Sequence, residues 1–147
     1  MAGQAVIFSL GEEEYAMPIE VVREITRLDN VRPIPQAPSF VRGLINLRGQ
    51  AVPLVDLHIR FGLLDGIKGQ DAAANAFALI AELNGGTVGF AVDQVKEVRV
   101  LDQVLPPPLV TAPFIGGIVN LPDRIIMQVI PERILAGDEL TYLGSLA

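Results

Sequence analysis

The sequence predicts a mainly-β chain built from two copies of one unit, with only short helices. Three observations carry this. The apolar segments are short and rich in Val, Ile and Leu, and Gly, Pro and Asn break them at roughly the 8–12-residue rhythm of barrels and sandwiches. Phe40-Val-Arg-Gly-Leu-Ile-Asn-Leu47 recurs 74 positions later as Phe114-Ile-Gly-Gly-Ile-Val-Asn-Leu121. Val22-Arg-Glu-Ile25 returns 73 positions later as Val95-Lys-Glu-Val98. Two nearly equal offsets in one order mark a duplication of a unit of about 70 residues. A unit of that size buries only a marginal core. The chain of 147 residues therefore reads as one domain of two packed halves, subdomain 1 at 1–66 and subdomain 2 at 75–147, with 67–74 as connector.

The elements follow in order. Ala5 to Leu10 reads as a strand, Gly11-Glu-Glu-Glu14 as a polar turn, and Tyr15 to Pro18 as the start of the return. Pro18 suits the start of one helical turn over Ile19 to Val22. Arg23 to Leu28 is extended, and Pro33-Ile-Pro-Gln-Ala-Pro38 is too proline-rich for regular structure. Val41 to Leu47 and Gln50 to Asp56 form a hairpin, followed by a short helix over Leu57 to Phe61 that Gly62 closes. Leu64 to Asn75 is small, polar and rich in Gly and Ala, the composition of a mobile connector. The second copy starts with strands Phe77 to Leu83 and Thr87 to Val92 around Asn84-Gly85-Gly86, a strong hairpin signal. Gln94 to Leu101, the Pro106-Pro-Pro108 loop, and the strands Ile115 to Leu121 and Arg124 to Ile130 mirror the first copy. Pro131 to Leu135 starts a terminal helix that Gly137 ends.

Composition narrows the function. A formal net charge of −6 without a basic stripe argues against nucleic acid or an anionic membrane surface. The chain has no cysteine, which excludes disulfides, thiolate metal sites and Cys nucleophiles, and suits a reducing cytoplasm. No apolar run reaches the length of a membrane span. The Met-Ala-Gly-Gln start lacks the basic residues of a secretion signal.

Reactive constellations are scarce. His58 is the only histidine and lies among apolar neighbours, so it reads as a packed or solvated side chain rather than a ligand. Asp56 and Asp93 each end an apolar strand. Paired acids could serve as general acid and base, but such residues more often cap helices or bond turn amides. Gly85-Gly86 lacks the Lys-Ser/Thr of a phosphate loop, and Gly116-Gly117 lacks the third glycine of a dinucleotide fingerprint. An enzyme is not expected, and no metal or cofactor is implied.

Differences between the copies are informative. The first hairpin turn centres on Arg48-Gly49 and the second on Pro122-Asp123, so the turn itself does not need an arginine. Arg48 therefore sits exposed on a rigid tip, either as a solubilising surface residue or as an interface anchor, a use that rigidly presented arginines suit. Glu24 and Glu97 occupy matched positions, either as solvent-facing strand residues or as the lining of a groove between the halves. Val22 and Val98 would flank such a groove, which suits an apolar helix; each valine alone is better explained by a core.

Phe8-Ser-Leu-Gly-Glu-Glu-Glu-Tyr15, Pro35-Gln-Ala-Pro-Ser-Phe-Val-Arg-Gly43, Asn46-Leu-Arg-Gly49, Val52-Pro-Leu-Val-Asp-Leu57 and Val88-Gly-Phe-Ala-Val-Asp93 together resemble the CheW-like family of bacterial chemotaxis coupling proteins. The resemblance runs from about Ala5 to Leu135. It implies two five-stranded SH3-like β-barrels around a shared core. It implies a non-catalytic cytoplasmic adaptor, at receptor arrays, between the helical cytoplasmic tip of methyl-accepting chemoreceptors and the regulatory domain of a CheA-type histidine kinase. By the matching motifs, Val22, Glu24, Gly43, Arg48 and Val98 fall on coupling positions, and a kinase-facing edge falls near Phe77 on the second barrel. Gln128-Val-Ile-Pro-Glu-Arg133 departs from the acidic or amide residue the family often carries near the end of its last strand. A related adaptor of type IV pili or gliding has the same architecture. A small-ligand-binding β-barrel is the reading of a different class; it requires an internal cavity with convergent polar groups.

Overall fold

The structure is a computed structural model and describes residues 3–63, 77–109 and 111–146. The expected connector, 67–74, lies outside the described residues. The described residues form ten strands in two five-stranded sheets. The first copy supplies β1 (Gly3–Leu10), β2 (Glu13–Pro18), β3 (Val22–Arg27), β4 (Val41–Leu47) and β5 (Gln50–Asp56). The second supplies β6 (Phe77–Leu83), β7 (Gly86–Val92), β8 (Gln94–Leu101), β9 (Ile115–Asn120) and β10 (Ile125–Val129). A 3-10 turn over Ile19–Val21 and α1 (Leu57–Arg60) stand where the sequence places short helices.

The sheets do not divide the chain into the two contiguous subdomains expected at 1–66 and 75–147. Sheet A runs β8-β1-β2-β10-β9, and sheet B runs β3-β6-β7-β5-β4. Each sheet takes its first hairpin from one copy and its other three strands from the other copy. The first hairpins are thus exchanged. β2 joins β10 and β7 joins β5 through parallel pairs, in matching registers: Ala16 opposite Gln128, and Gly89 opposite Leu54. The pairing follows from burial. β1 is buried from Ala5 to Leu10 without alternation, so both faces of this strand are covered. An exchanged hairpin lies between its own sheet's interior and the other sheet.

Three apolar clusters result. Ala5, Ile7, Ala16, Leu101, Val119 and Ile126 fill the interior of sheet A. Ile45, Val52, Leu54, Ala78, Ile80 and Ala91 fill that of sheet B. The largest lies between the sheets and includes Phe8, Met17, Val55, Leu79, Phe90 and Val129. An aromatic chain crosses it: Phe8 and Tyr15 have ring centroids 5.9 Å apart, Tyr15 and Phe61 5.2 Å, and Phe61 and Phe114 4.2 Å. Burial raises the Tyr15 pKa.

The duplication holds to the single residue. β3 against β6 carries a bulge at Arg23, and β8 against β1 carries one at Lys96. β4 against β5 is irregular at Arg42, and β9 against β10 at Gly116. Each pair is related by the offset of its repeat. Bulges bend a strand and increase its twist, so paired bulges give both sheets the same curl. The chain leaving β3 bridges β4 through Arg32 and Leu44, and the chain leaving β8 bridges β9 through Leu105 and Ile118. These bridges bring the outer strands of each sheet together, as in an SH3-like barrel.

The C-terminus departs from the sequence reading. Pro131–Arg133 is a 3-10 turn only, and α2 spans Gly137–Leu146, so Gly137 opens a helix instead of ending one. Asp138 and Glu139 in the first turn favour this polarity, and the Glu139 carboxylate accepts the Ala136 amide at 2.7 Å. Arg60 clasps the helix: it donates two hydrogen bonds to Glu139 at 2.9 and 2.7 Å and one to the Ile134 carbonyl at 2.7 Å. The exchanged topology makes a direct prediction. Fragments 1–66 and 75–147 will each lack a cooperative melt alone and will regain one on mixing, read by circular dichroism. A cooperative transition in either fragment by itself contradicts the exchange.

Candidate functional site

Arg48 and Glu24 meet across a seam. Glu24 lies on β3 and Arg48 on the β4–β5 turn, at the two ends of sheet B's strand order. Arg48 Nη1 donates to Glu24 Oε2 at 2.9 Å, and Nη2 donates to Oε1. The fork-to-fork pair thus ties the barrel's outer strands together. Hydrogen bonding by the guanidinium lowers the Glu24 pKa, and Glu24 raises that of Arg48.

The backbone under Arg48 is costly. Arg48 and Gly49 have φ of 51° and 85°, close to the 49° and 82° of Asn84 and Gly85 in the β6–β7 turn. Two positive values mark the mirror-type hairpin turn that favours Asn-Gly and disfavours a bulky first residue. Asn46 supports the tip by accepting the Gly49 amide at 2.8 Å. The arginine side chain remains 72% exposed, and its Glu24 partner 27%.

The second copy repeats the seam with a different arginine. Glu97 on β8 pairs with Arg124, which precedes β10, and not with the residue matching Arg48, which is Pro122. Arg124 Nε also lies 3.3 Å from Glu14 on β2. Both atoms lack a well-angled hydrogen bond, so this second contact is an ion pair. Arg124 lowers the Glu97 pKa, chiefly by its hydrogen bond. The repeat aligns Arg124 with Gln50, two residues past the match of Arg48, so comparison of the copies carries no signal for it.

The remaining expected positions divide. Gly43 is buried with φ +149°, and an added Cβ would fall 2.2 Å from the Arg32 carbonyl oxygen. Gly43 therefore serves the Arg32–Leu44 bridge. Val22 is half-buried and packs on the core between the sheets. Val98 stands on β8 of the other sheet and is 46% exposed. Val22 and Val98 thus lie on outer strands of different sheets. Phe77 is not at an edge: its strand β6 pairs with β3 on one side and β7 on the other, and Arg27 covers its ring at 5.4 Å. The edge that the resemblance implied near Phe77 therefore does not fall on β6 itself.

The residues weighed for catalysis are engaged structurally. Asp56 caps α1 by accepting the Ile59 amide at 3.2 Å and pairs with Arg42 at 3.1 Å. His58, 3% exposed, holds Asp93 at 2.9 Å, and Asp93 accepts the Gly11 amide at 2.6 Å. Ile130 takes the place of Asp56 in the second copy and offers no cap, which explains the shortened 3-10 turn there. A cleft lies outside both barrels, between α2 and the β6–β7 turn. Among the described residues, no three acidic or histidine side chains are placed to hold a metal, and no helix is long and apolar enough to cross a membrane.

The fold and its seams define a class: a double SH3-like β-barrel with two outer faces, each fastened by a glutamate–arginine pair. The chain belongs to the CheW-like domain family, whose model matches residues 4–139. It is 31% identical to the chemotaxis protein CheW of Treponema pallidum, over 97% of this chain and 88% of that protein. It is also 31% identical to the chemotaxis protein CheW of Klebsiella aerogenes, over 100% of this chain and 93% of that one. The crystal structure of a scaffolding protein, TtCheW from Thermoanaerobacter tengcongensis, superposes with a TM-score of 0.82 at 33% identity, covering 96% of this chain and 94% of that one.

Two outcomes follow from the site. Gly43→Ala should cost about 2 kcal/mol or more, since the new methyl meets backbone rather than a movable side chain; a urea midpoint equal to wild type would contradict the bridge's role. Glu24 and Glu97 have pKa values lowered in the folded state. Their contribution is present above the unfolded carboxylate pKa, about 4.3, and is lost as pH falls through the lowered folded values. The double variant Glu24→Gln/Glu97→Gln should therefore melt below wild type at neutral pH and converge with it in acid, by thermal melts across pH.

Proposed function

We propose that this chain is a non-catalytic adaptor of chemosensory signalling. It binds the helical cytoplasmic tip of a chemoreceptor and the regulatory domain of a CheA-type histidine kinase, in the cytoplasm at receptor arrays. The observation that carries the reading is Arg48: a large cation on a turn that favours Asn, exposed at a rigid tip, within an intact Asn-Leu-Arg-Gly motif. Backbone strain kept at an exposed side chain points to use of that side chain. The relatives named as chemotaxis and scaffolding proteins support the same reading.

Arg48, Glu24 and Val98 are the contact residues in this reading, and Val22 and Gly43 shape the surfaces they stand on. Signalling then rests on a coupling free energy between two contacts on one rigid body. The small-ligand alternative is disfavoured because apolar side chains fill both barrel interiors. Arg48→Glu should abolish co-precipitation of receptor fragment with kinase while the thermal midpoint moves by less than about 3 °C, since an exposed ion pair contributes little to folding. Intact co-precipitation would defeat the proposal, and a collapse of the midpoint would make Arg48 a folding residue.

A further inference from the structure

We propose that Arg124 is a positioning residue of the β8 docking face, a role that rests on the adaptor reading above. β8 ends the strand order of sheet A, with β1 on its inner side. Its outward side chains Val98 and Val100 are 46% and 53% exposed, and Ile125, next to Arg124, is 56% exposed. The duplicate positions in sheet B hold Ile25, Arg27 and Ala51. The fold tolerates a cation and a small residue at two of the three, so it does not dictate this apolar face.

β8 pairs with β1 along one side only, so its far side is held by side chains. Arg124 reaches Glu97 on β8 and Glu14 on β2 at once. It is 25% exposed against 72% for Arg48. The sheet A seam is therefore locked by one cation between two carboxylates, whereas the sheet B seam rests on a single exposed pair. Arg124 sets where Val98 and Val100 stand, and the two valines make the contact. A lysine retains the charge but not the planar fork that spans both acids.

The test is hydrogen exchange followed by mass spectrometry on wild type, Arg124→Gln and Arg124→Lys, with receptor-fragment binding measured alongside. In Arg124→Gln, β8 amides should exchange about tenfold faster while β3 and β6 are unchanged. Receptor-fragment affinity should fall about fivefold, and Arg124→Lys should recover part of both effects. Unchanged β8 exchange overturns the proposal, as does acceleration of all strands together, which marks a general loss of stability. Accelerated β8 with undiminished affinity also overturns it. The exchange measurement needs no partner, so wild-type protein that binds no receptor fragment refutes the adaptor reading, while the exchange pattern still decides whether Arg124 positions β8.

Discussion

The rest of the structure depends on the apolar layer between the two sheets. Each first hairpin presents one face to its own barrel and the other to this layer. That is why β1, β2, β6 and β7 carry nearly unbroken apolar runs. Burying both faces of a strand contributes more than either barrel interior could alone, since stabilisation scales with apolar area removed from water. Neither barrel interior is large: among the described residues six buried side chains form each, two of them alanine. The exchange of hairpins thus turns two marginal cores into three cooperating ones.

With the inner strands fixed by burial, the outer strands are left to polar chemistry. β3 and β8 alternate between covered and exposed residues, and each reaches the far end of its sheet through a short backbone bridge and a glutamate–arginine pair. Such pairs add little to folding free energy when exposed. Their value here is geometric. They hold the outer strands at a fixed spacing without an apolar seam that would promote association. The faces beside them are then free to differ, and they do: one carries a strained arginine and the other a row of valines.

Much of this was legible in the sequence. The repeat offsets of 73 and 74, read from short motifs, reappear as matched bulges, bridges and parallel registers. The strand limits, the 3-10 turn after Pro18 and the capping role of Asp56 follow from local chemistry and were readable. The hairpin exchange was not, because a strand's apolar run records that both faces are covered and not which copy covers them. Phe77 shows the consequence: the resemblance gave an edge near it, whereas the exchange sets its strand between β3 and β7. Gly137 shows a second limit. Glycine is common at both helix boundaries, and only the acidic pair that follows, Asp138-Glu139, gives the direction.

Arg48 and Arg124 answer the same structural need at unequal conformational cost, and that inequality separates fold from function. The second copy shows that a hairpin turn with Pro122-Asp123 closes the strands and that an arginine just past the turn engages the glutamate opposite, with the strand still regular. The first copy had that solution available at Gln50, and instead places its arginine at the first of two turn positions with positive φ. From there the side chain spans the seam and stays 72% exposed, against 25% for Arg124. Seam closure alone does not explain the placement. Presentation of a cation on the surface, the role proposed for Arg48, does.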